Sequence, residues 1–88
     1  MIIGLDWDNT FTKDVDLWQS FVLQANAKEH QVYITTSRSD DIPIEFIPDG
    51  LKGIVYCNFI AKKQATEALG IKVDIWIDDD PQWITESF

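Results

Sequence analysis

The stretch MIIGLDWDNT, residues 1–10, opens with an apolar run and ends in polar residues. The run has no alternation of apolar and polar residues, which predicts a strand covered on both faces. Residues two apart in a strand point to the same side, so Asp6 and Asp8 are expected to face one spot, with Trp7 turned away. Carboxylates that close repel each other, and each raises the pKa of the other. A divalent cation bound by oxygen ligands is the simplest way to offset that repulsion.

The remainder of the chain alternates between apolar runs and amphipathic stretches. Strands are predicted at residues 1–6, 32–36, 53–57 and 73–77, and helices between residues 14 and 27, between residues 58 and 70, and in the tail after residue 81. The link at residues 40–50 contains two prolines and a glycine, which leaves room for one turn of helix. This order of elements is typical of an α/β fold with a parallel sheet, and 88 residues predict a single domain, 1–88.

Several residues at the ends of these stretches predict helix boundaries. Asp14 suits the N-cap of the first helix, and Asn58 is a candidate N-cap for the second. Gly70 is placed to end the second helix, since glycine adopts the left-handed conformation found there. Asp80 followed by Pro81 predicts an N-cap and a first helical residue for the tail helix.

The amino-acid composition argues against several kinds of partner and cellular location. The net charge is −8, which argues against broad adhesion to nucleic acid or to an anionic membrane. The single cysteine, Cys57, cannot form an internal disulfide, which suits a reducing compartment. The apolar start lacks the basic residues of a signal peptide, and no stretch approaches the roughly 20 apolar residues of a membrane span. A cytoplasmic protein with no membrane partner is therefore expected.

Acidic and hydroxyl side chains follow three of the predicted strands. They are Asp6 and Asp8 after the first, Thr36 at the end of the second, and Asp78 and Asp79 after the fourth. In open parallel sheets, ligands bind beyond the carboxyl ends of the strands, where the strand order reverses, so these groups are expected at one edge. A carboxylate cluster with room for water suits Mg²⁺, and a magnesium site with spare carboxylates suggests phosphoryl chemistry. One carboxylate can serve as a nucleophile that forms an aspartyl-phosphate, and a second can move protons.

Phosphoryl chemistry also needs a donor for the phosphoryl oxygens and a balancing cation. Thr36 is the candidate donor. Lys62 and Lys63 lie near the start of the second predicted helix, where a lysine opposes the helix dipole and therefore suggests a functional position. Lys62 is favoured for that position, but the choice between the two lysines stays open. Arg38 is a candidate contact for a substrate phosphate, because its guanidinium fork matches phosphate oxygens, although a surface role is equally compatible with the sequence.

Taken in order, these motifs resemble those of phosphatases of the haloacid dehalogenase-like (HAD) superfamily. That family carries an Asp-x-Asp-x-Thr motif after strand one, a Thr or Ser ending strand two, a lysine opening a later helix, and an acidic pair after the next strand. The matching residues are Asp6, Asp8, Thr10, Thr36, Lys62 or Lys63, Asp78 and Asp79. The match spans nearly the whole chain, and the first motif together with the acidic pair is its specific part.

The resemblance implies a fold and a set of roles. The fold would be a small Rossmann-like three-layer sandwich with a four-stranded parallel sheet of order 3-2-1-4. Asp6 would be the nucleophile and a metal ligand, and Asp8 the general acid/base that also offers its backbone carbonyl to Mg²⁺. Asp78 would bind the metal, with Asp79 as a further ligand or beside it. Catalytic support is expected from Thr36 and Lys62, and substrate contacts from Thr10, Arg38 and Lys63.

The chain departs from the family pattern in two ways. It has room for four core strands, where five or more are usual, and neither of the usual insertion points can hold a cap domain. A capless site is open, which within the family is associated with macromolecular substrates or with oligomers whose neighbour covers the site. The expected substrate is a phosphorylated small molecule or macromolecular end, such as a nucleotide or a nucleic-acid end. The alternative is a non-catalytic module that binds Mg²⁺ or a partner protein.

Overall fold

The computed structural model describes residues 1–88 as four strands and three α-helices. The elements in chain order are β1 (Ile2–Leu5), α1 (Val15–Ala27), β2 (Gln31–Thr36), β3 (Gly53–Tyr56), α2 (Lys62–Ala68), β4 (Ile75–Ile77) and α3 (Gln82–Thr85), with a 3-10 turn at Phe11–Lys13. The strands form one all-parallel sheet in the order β3-β2-β1-β4. The predicted α/β class, parallel sheet and 3-2-1-4 order are confirmed. None of the helices has the length and apolar character needed to cross a membrane.

The central strand β1 is buried because it pairs with β2 on one side and β4 on the other. Leu5 is fully buried, and the core continues through Trp7, which stacks on Phe11 with the ring centroids 4.8 Å apart. Position 4 requires a glycine because the side chain of Trp76 on β4 packs against it: a Cβ there would lie 2.9 Å from the Trp76 ring. Trp7 is thus a packing residue, as predicted.

Two of the predicted helix ends are confirmed. The carboxylate of Asp14 accepts a hydrogen bond from the backbone N–H of Leu17 at 3.1 Å and caps α1. Gly70 follows the end of α2 with a φ of +75°, in the left-handed region that favours glycine.

The predicted N-terminal boundaries of α2 and α3 are wrong in detail. Asn58 does not cap α2, which begins at Lys62, because the hydroxyl of Ser87 accepts the hydrogen bond of the Ala61 N–H at 2.8 Å. The third helix begins at Gln82, with Pro81 rather than Asp80 at its N-cap position. Both differences arise because contacts with distant or unexpected partners replace the local capping pattern.

The segment between β2 and β3 contains no turn of helix. It runs irregularly and covers the core instead: Ile44 is buried, and its N–H donates to the hydroxyl of Tyr56 at 3.1 Å. Phe46 meets the edge of Trp7 with the ring centroids 5.0 Å apart. Prolines at 43 and 48 favour this extended path, since each removes a backbone donor.

Candidate functional site

The sheet brings the predicted acidic residues together at the carboxyl ends of β1 and β4. The chain passes from β1 to β2 and β3 on one side and then returns to β4 on the other, so the strand order reverses beside β1. The backbone N–H of Asp6 donates to the carbonyl of Ile77 at 2.9 Å and extends the β1–β4 pairing by one residue. Asp6 and the acidic pair after β4 are therefore neighbours, at the position where parallel sheets bind ligands.

The loop after β1 curls back so that Thr10 returns to Asp6. Asn9 adopts a φ of +62°, a conformation that Asn tolerates better than most residues. The hydroxyl of Thr10 lies 3.0 Å from Asp6 Oδ2 and 3.1 Å from Asp79 Oδ1, and it accepts from the Asp79 N–H at 3.2 Å. One hydroxyl proton cannot serve both carboxylates, so Thr10 bridges them by alternating between the two. The structure thus places Thr10 between the two acidic motifs.

Lys62 is the lysine that meets the carboxylates. Its side chain is only 2% exposed, and its Nζ donates to Asp6 Oδ1 at 2.7 Å and to Asp78 Oδ2 at 2.5 Å. Lys63, the next residue, is exposed and lies outside the cavity that these groups line. Of the two lysines that the sequence leaves as alternatives, Lys62 is therefore the one that lies at the acidic site.

The carboxylates of Asp6, Asp78 and Asp79 form a group whose ligand atoms lie within 4.8 Å of one another. With Lys62 as the only cation paired to them, three ionised carboxylates leave two negative charges, which one divalent cation balances. The donors are hard carboxylate oxygens, so the group could hold a hard divalent metal ion rather than a soft one. The carboxylate of Asp8 is not part of the group.

Burial shapes the protonation of this site. Desolvation, together with the hydrogen bond to Asp79, raises the pKa of Asp6 to about 7 against the opposing pull of Lys62. The same Asp6 hydrogen bond lowers the pKa of Asp79. Burial opposes the charge on Lys62, but its hydrogen bonds to Asp6 and Asp78 outweigh that effect, and the pKa of the ammonium is raised. Burial and the neighbouring carboxylates thus favour the protonated form of Asp6 more than is usual for an aspartate.

Asp8 lies in a second, exposed centre. Its carboxylate receives two hydrogen bonds from Arg38, from Nη2 at 2.7 Å and from Nε at 2.9 Å. Arg38 also donates to both carboxylate oxygens of Glu45, at 2.8 and 3.1 Å, and to the carbonyl of Pro43 at 2.9 Å. These bonds raise the pKa of Arg38 and lower that of Glu45. The guanidinium predicted to contact substrate is therefore occupied by protein carboxylates.

The two centres share one cavity of about 220 Å³. Its walls are formed by Asp6, Asp8, Asn9, Ser37, Lys62, Asp78, Asp79, Asp80, Trp83 and Phe88. Asp6 and Asp8 thus line one cavity although their carboxylates have different partners. Thr36 is buried behind the wall, where its hydroxyl accepts from the N–H of Arg38 at 3.2 Å, and its neighbour Ser37 reaches the cavity.

Six residues at the site are not among those that the sequence predicts to be functional: Asn9, Ser37, Glu45, Asp80, Trp83 and Phe88. Ser37 directly follows a predicted strand end, which is a usable signal. Glu45 lies between two prolines in an irregular segment, and no periodicity links it to Arg38. Trp83 and Phe88 fit an amphipathic tail helix that packs on the core, although an exposed tryptophan near the site is also able to stack on a base.

Comparison with protein-family models, with curated proteins and with solved structures finds no match to this chain.

Proposed function

We propose that this protein is a Mg²⁺-dependent phosphomonoester hydrolase that acts through an aspartyl-phosphate on Asp6. The observation that carries the proposal is a buried carboxylate, Asp6, held by a buried lysine and adjoining an acidic pair at the floor of an open cavity. Such an arrangement supplies an oriented nucleophile, a balancing cation and oxygen ligands for a metal at one point.

The fold that accompanies this proposal is the Rossmann-like, three-layer arrangement of the HAD superfamily in a form without a cap. The confirmed 3-2-1-4 sheet and the order of the motifs along the chain support it. The open cavity admits a small phosphorylated molecule or the end of a larger one, and a second copy of the chain is a further candidate for covering it.

The reaction proceeds in two displacements. A carboxylate oxygen of Asp6 attacks phosphorus in line, the bond from phosphorus to the leaving oxygen breaks, and a protonated Asp8 gives its proton to that oxygen. Asp8 then takes a proton from water, which attacks the phosphorus of the aspartyl-phosphate and releases inorganic phosphate and Asp6. Mg²⁺ bound by Asp6, Asp78 and Asp79 would neutralise phosphate charge and fix its orientation. Lys62 holds Asp6 in position throughout.

Asp8 must change partners to act as the acid in this scheme. Both carboxylate oxygens of Asp8 accept hydrogen bonds from Arg38, so neither is directed toward a leaving oxygen. Its side chain is half exposed, so rotation away from Arg38 toward the leaving oxygen meets little packing resistance. In the proposed scheme Asp8 therefore leaves Arg38 and takes up a proton from solvent before it serves as the acid of the first displacement.

The test is hydrolysis of an aryl phosphate with Mg²⁺ and with a chelator. We expect turnover that needs Mg²⁺, is abolished by Asp6→Asn and is unchanged by Asp16→Asn, a matched loss of one exposed carboxylate on α1 that does not line the cavity. Full activity in the presence of the chelator, or in Asp6→Asn, would contradict the proposal.

A second candidate function is a non-catalytic module that binds Mg²⁺ or a partner. The pairing of Asp8 with Arg38, which Glu45 holds from its other side, favours it, since a binder has no need of a free acid/base residue. Beryllofluoride, a mimic of the phosphoryl group, distinguishes the two proposed functions. A phosphatase forms a Mg²⁺-dependent adduct at Asp6, whereas a module of this kind binds Mg²⁺ normally and forms no adduct.

A further inference from the structure

One wall of the cavity is aromatic while the rest of its lining is polar or charged. Trp83 and Phe88 supply that wall, and they are the two hydrophobic residues among the ten that line the cavity. Their rings stack on each other with centroids 3.8 Å apart and planes 14° apart. The two rings, here called the aromatic wall, therefore line the same cavity as Asp6.

The aromatic wall is fixed before any ligand arrives. The indole N–H of Trp83 donates to Asp80 Oδ2 at 2.8 Å, and the ring of Phe59 packs edge-on against Phe88 at 5.5 Å. The backbone N–H of Phe88 donates to the carbonyl of Phe59 at 2.9 Å. Rings held by these contacts lose little further freedom on binding, which favours stacking with a planar ligand.

The aromatic wall nevertheless stays open to solvent. Phe88 is 65% exposed, so a large part of its surface is uncovered. A second planar group laid on this ring would continue the stack already begun by Trp83. Stacking on an aromatic side chain is available to every nucleobase, because each has a π-face.

Charge limits the phosphorylated ligands that suit this cavity. Asp8, Asp79 and Asp80 line it, and the nearby Arg38 is occupied by Asp8 and Glu45. The remaining charge repels a second or third phosphate. A single phosphate attached to a group with an uncharged planar face meets the fewest repulsive contacts.

Building on the phosphatase function proposed above, we propose that the aromatic wall binds the base of a nucleoside monophosphate whose phosphate lies at Asp6. The substrate class that follows is the mononucleotide rather than the sugar phosphate or the nucleic-acid end.

The test compares adenosine 5′-monophosphate with ribose 5-phosphate, which have the same kind of leaving oxygen and differ by the base. We expect kcat/KM to favour the nucleotide by about five- to a hundredfold, the range that base stacking on an aromatic side chain supports. Phe88→Leu is expected to remove most of this preference by raising KM for the nucleotide alone, and Phe88→Trp to keep it. Leu69→Ala is the matched control, since Leu69 is equally exposed at 65% but lies outside the cavity.

A binding measurement separates failure of this inference from failure of the phosphatase function. Titration calorimetry on Asp6→Asn with Mg²⁺ is expected to show tighter binding of the nucleotide than of ribose 5-phosphate, with the difference lost on adding Phe88→Leu. If the nucleotide binds more tightly in this way but the wild type hydrolyses neither ligand, nucleotide binding is supported and the proposed hydrolase activity is rejected. Equal affinity and equal kcat/KM for the two ligands, or a phosphorylated oligonucleotide preferred over the mononucleotide, would overturn the present inference.

Discussion

Asp6 and Asp8 stand two residues apart in the sequence but occupy opposite surroundings. Asp6, whose side chain is 8% exposed, lies with the buried Thr10 and Lys62 in a centre that Asp78 and the exposed Asp79 complete. Asp8 belongs to an exposed centre with Arg38 and Glu45, where its side chain is 50% exposed. We call them the lysine centre and the arginine centre.

These contrasting surroundings suit the two different roles that we propose for the carboxylates of one short motif. The buried side chains of the lysine centre are desolvated, so their charges interact strongly and their positions are fixed. The arginine centre is solvated, so its ion pairs are weak enough to break and reform. A fixed nucleophile and a movable acid/base residue are what the proposed two-step reaction requires.

The largest effect is expected from breaking the lysine centre with Lys62→Met. Removing one partner of a buried ion pair typically costs about 3–5 kcal/mol, because the remaining charges stay buried and unpaired. We expect a loss of that order in the free energy of unfolding measured with urea at pH 8, together with loss of phosphatase activity.

Lys63→Met is the matched control, since it removes an exposed lysine one residue along the same helix. We expect it to change stability by less than about 0.5 kcal/mol and to leave turnover intact. Equal losses in the two variants would show that Lys62 has no special role.

The second effect concerns pH and the metal-free protein. The pKa of Asp6 is raised from 3.8 to about 7 in the fold, so the folded state binds the proton more tightly than the unfolded chain. The resulting stability is fully present below about pH 4 and is lost as pH rises to about 7, by up to about 4 kcal/mol. The lowered pKa of Asp79 acts in the opposite sense as the solution is acidified through its folded pKa.

Thermal unfolding in chelator across this pH range measures the effect. We expect Asp6→Asn to flatten the profile and to be more stable than the wild type at pH 8, where its neutral side chain relieves the acidic cluster. Wild-type stability that rises from pH 5 to pH 8 in chelator would contradict the assignment of a buried, proton-binding Asp6.

A smaller effect on stability, but a clear one on rate, is expected from the arginine centre. Asp8→Asn removes the acid/base group and should lower kcat by about 10²- to 10⁴-fold. Arg38→Met leaves Asp8 in place without its anchor, and we expect a lesser fall in kcat. Because the pairs are exposed, both changes should alter the free energy of unfolding by no more than about 1 kcal/mol. A wild-type kcat in the Asp8→Asn variant would contradict the proposal that Asp8 is the acid/base residue.

The smallest effect distinguishes two adjacent hydroxyls. Ser37 lines the cavity, whereas Thr36 is buried and accepts from the N–H of Arg38. We expect Ser37→Ala to raise KM for a phosphorylated substrate with little change in stability. We expect Thr36→Val to destabilise by about 1 kcal/mol through the lost acceptor. Kinetic comparison of the two variants also tests whether Thr36 contacts phosphate, as the sequence predicts.

The lysine centre could be predicted from the sequence because it follows from the sheet. Apolar runs fix the strands, parallel strands place their carboxyl ends at one edge, and Asp6 therefore meets Asp78 and Asp79. Lys62 lies 56 residues from Asp6, and its place near the start of the helix before β4 favours this edge. The sequence leaves Lys63 as an alternative, and the structure separates the two.

The arginine centre could not be predicted in the same way. Arg38 has 15 acidic residues as potential partners, and its actual ones depend on the path of an irregular segment. Asn58 failed as a cap for a related reason, because the hydroxyl of Ser87 serves the N-terminus of α2 from across the structure. Local sequence patterns predict helices and strands. They do not predict which charged residues in loops pair, or which distant side chains cap a helix.

The most direct test of the phosphatase account is a single turnover of a radiolabelled phosphomonoester with Mg²⁺ and protein in excess, quenched in acid. We expect labelled protein in which the phosphoryl group maps to Asp6 and is released by hydroxylamine, as an acyl phosphate is. The label should be absent from Asp6→Asn and from the reaction in chelator. Turnover that persists in Asp6→Asn, or label that maps to another residue, would contradict Asp6 as the nucleophile.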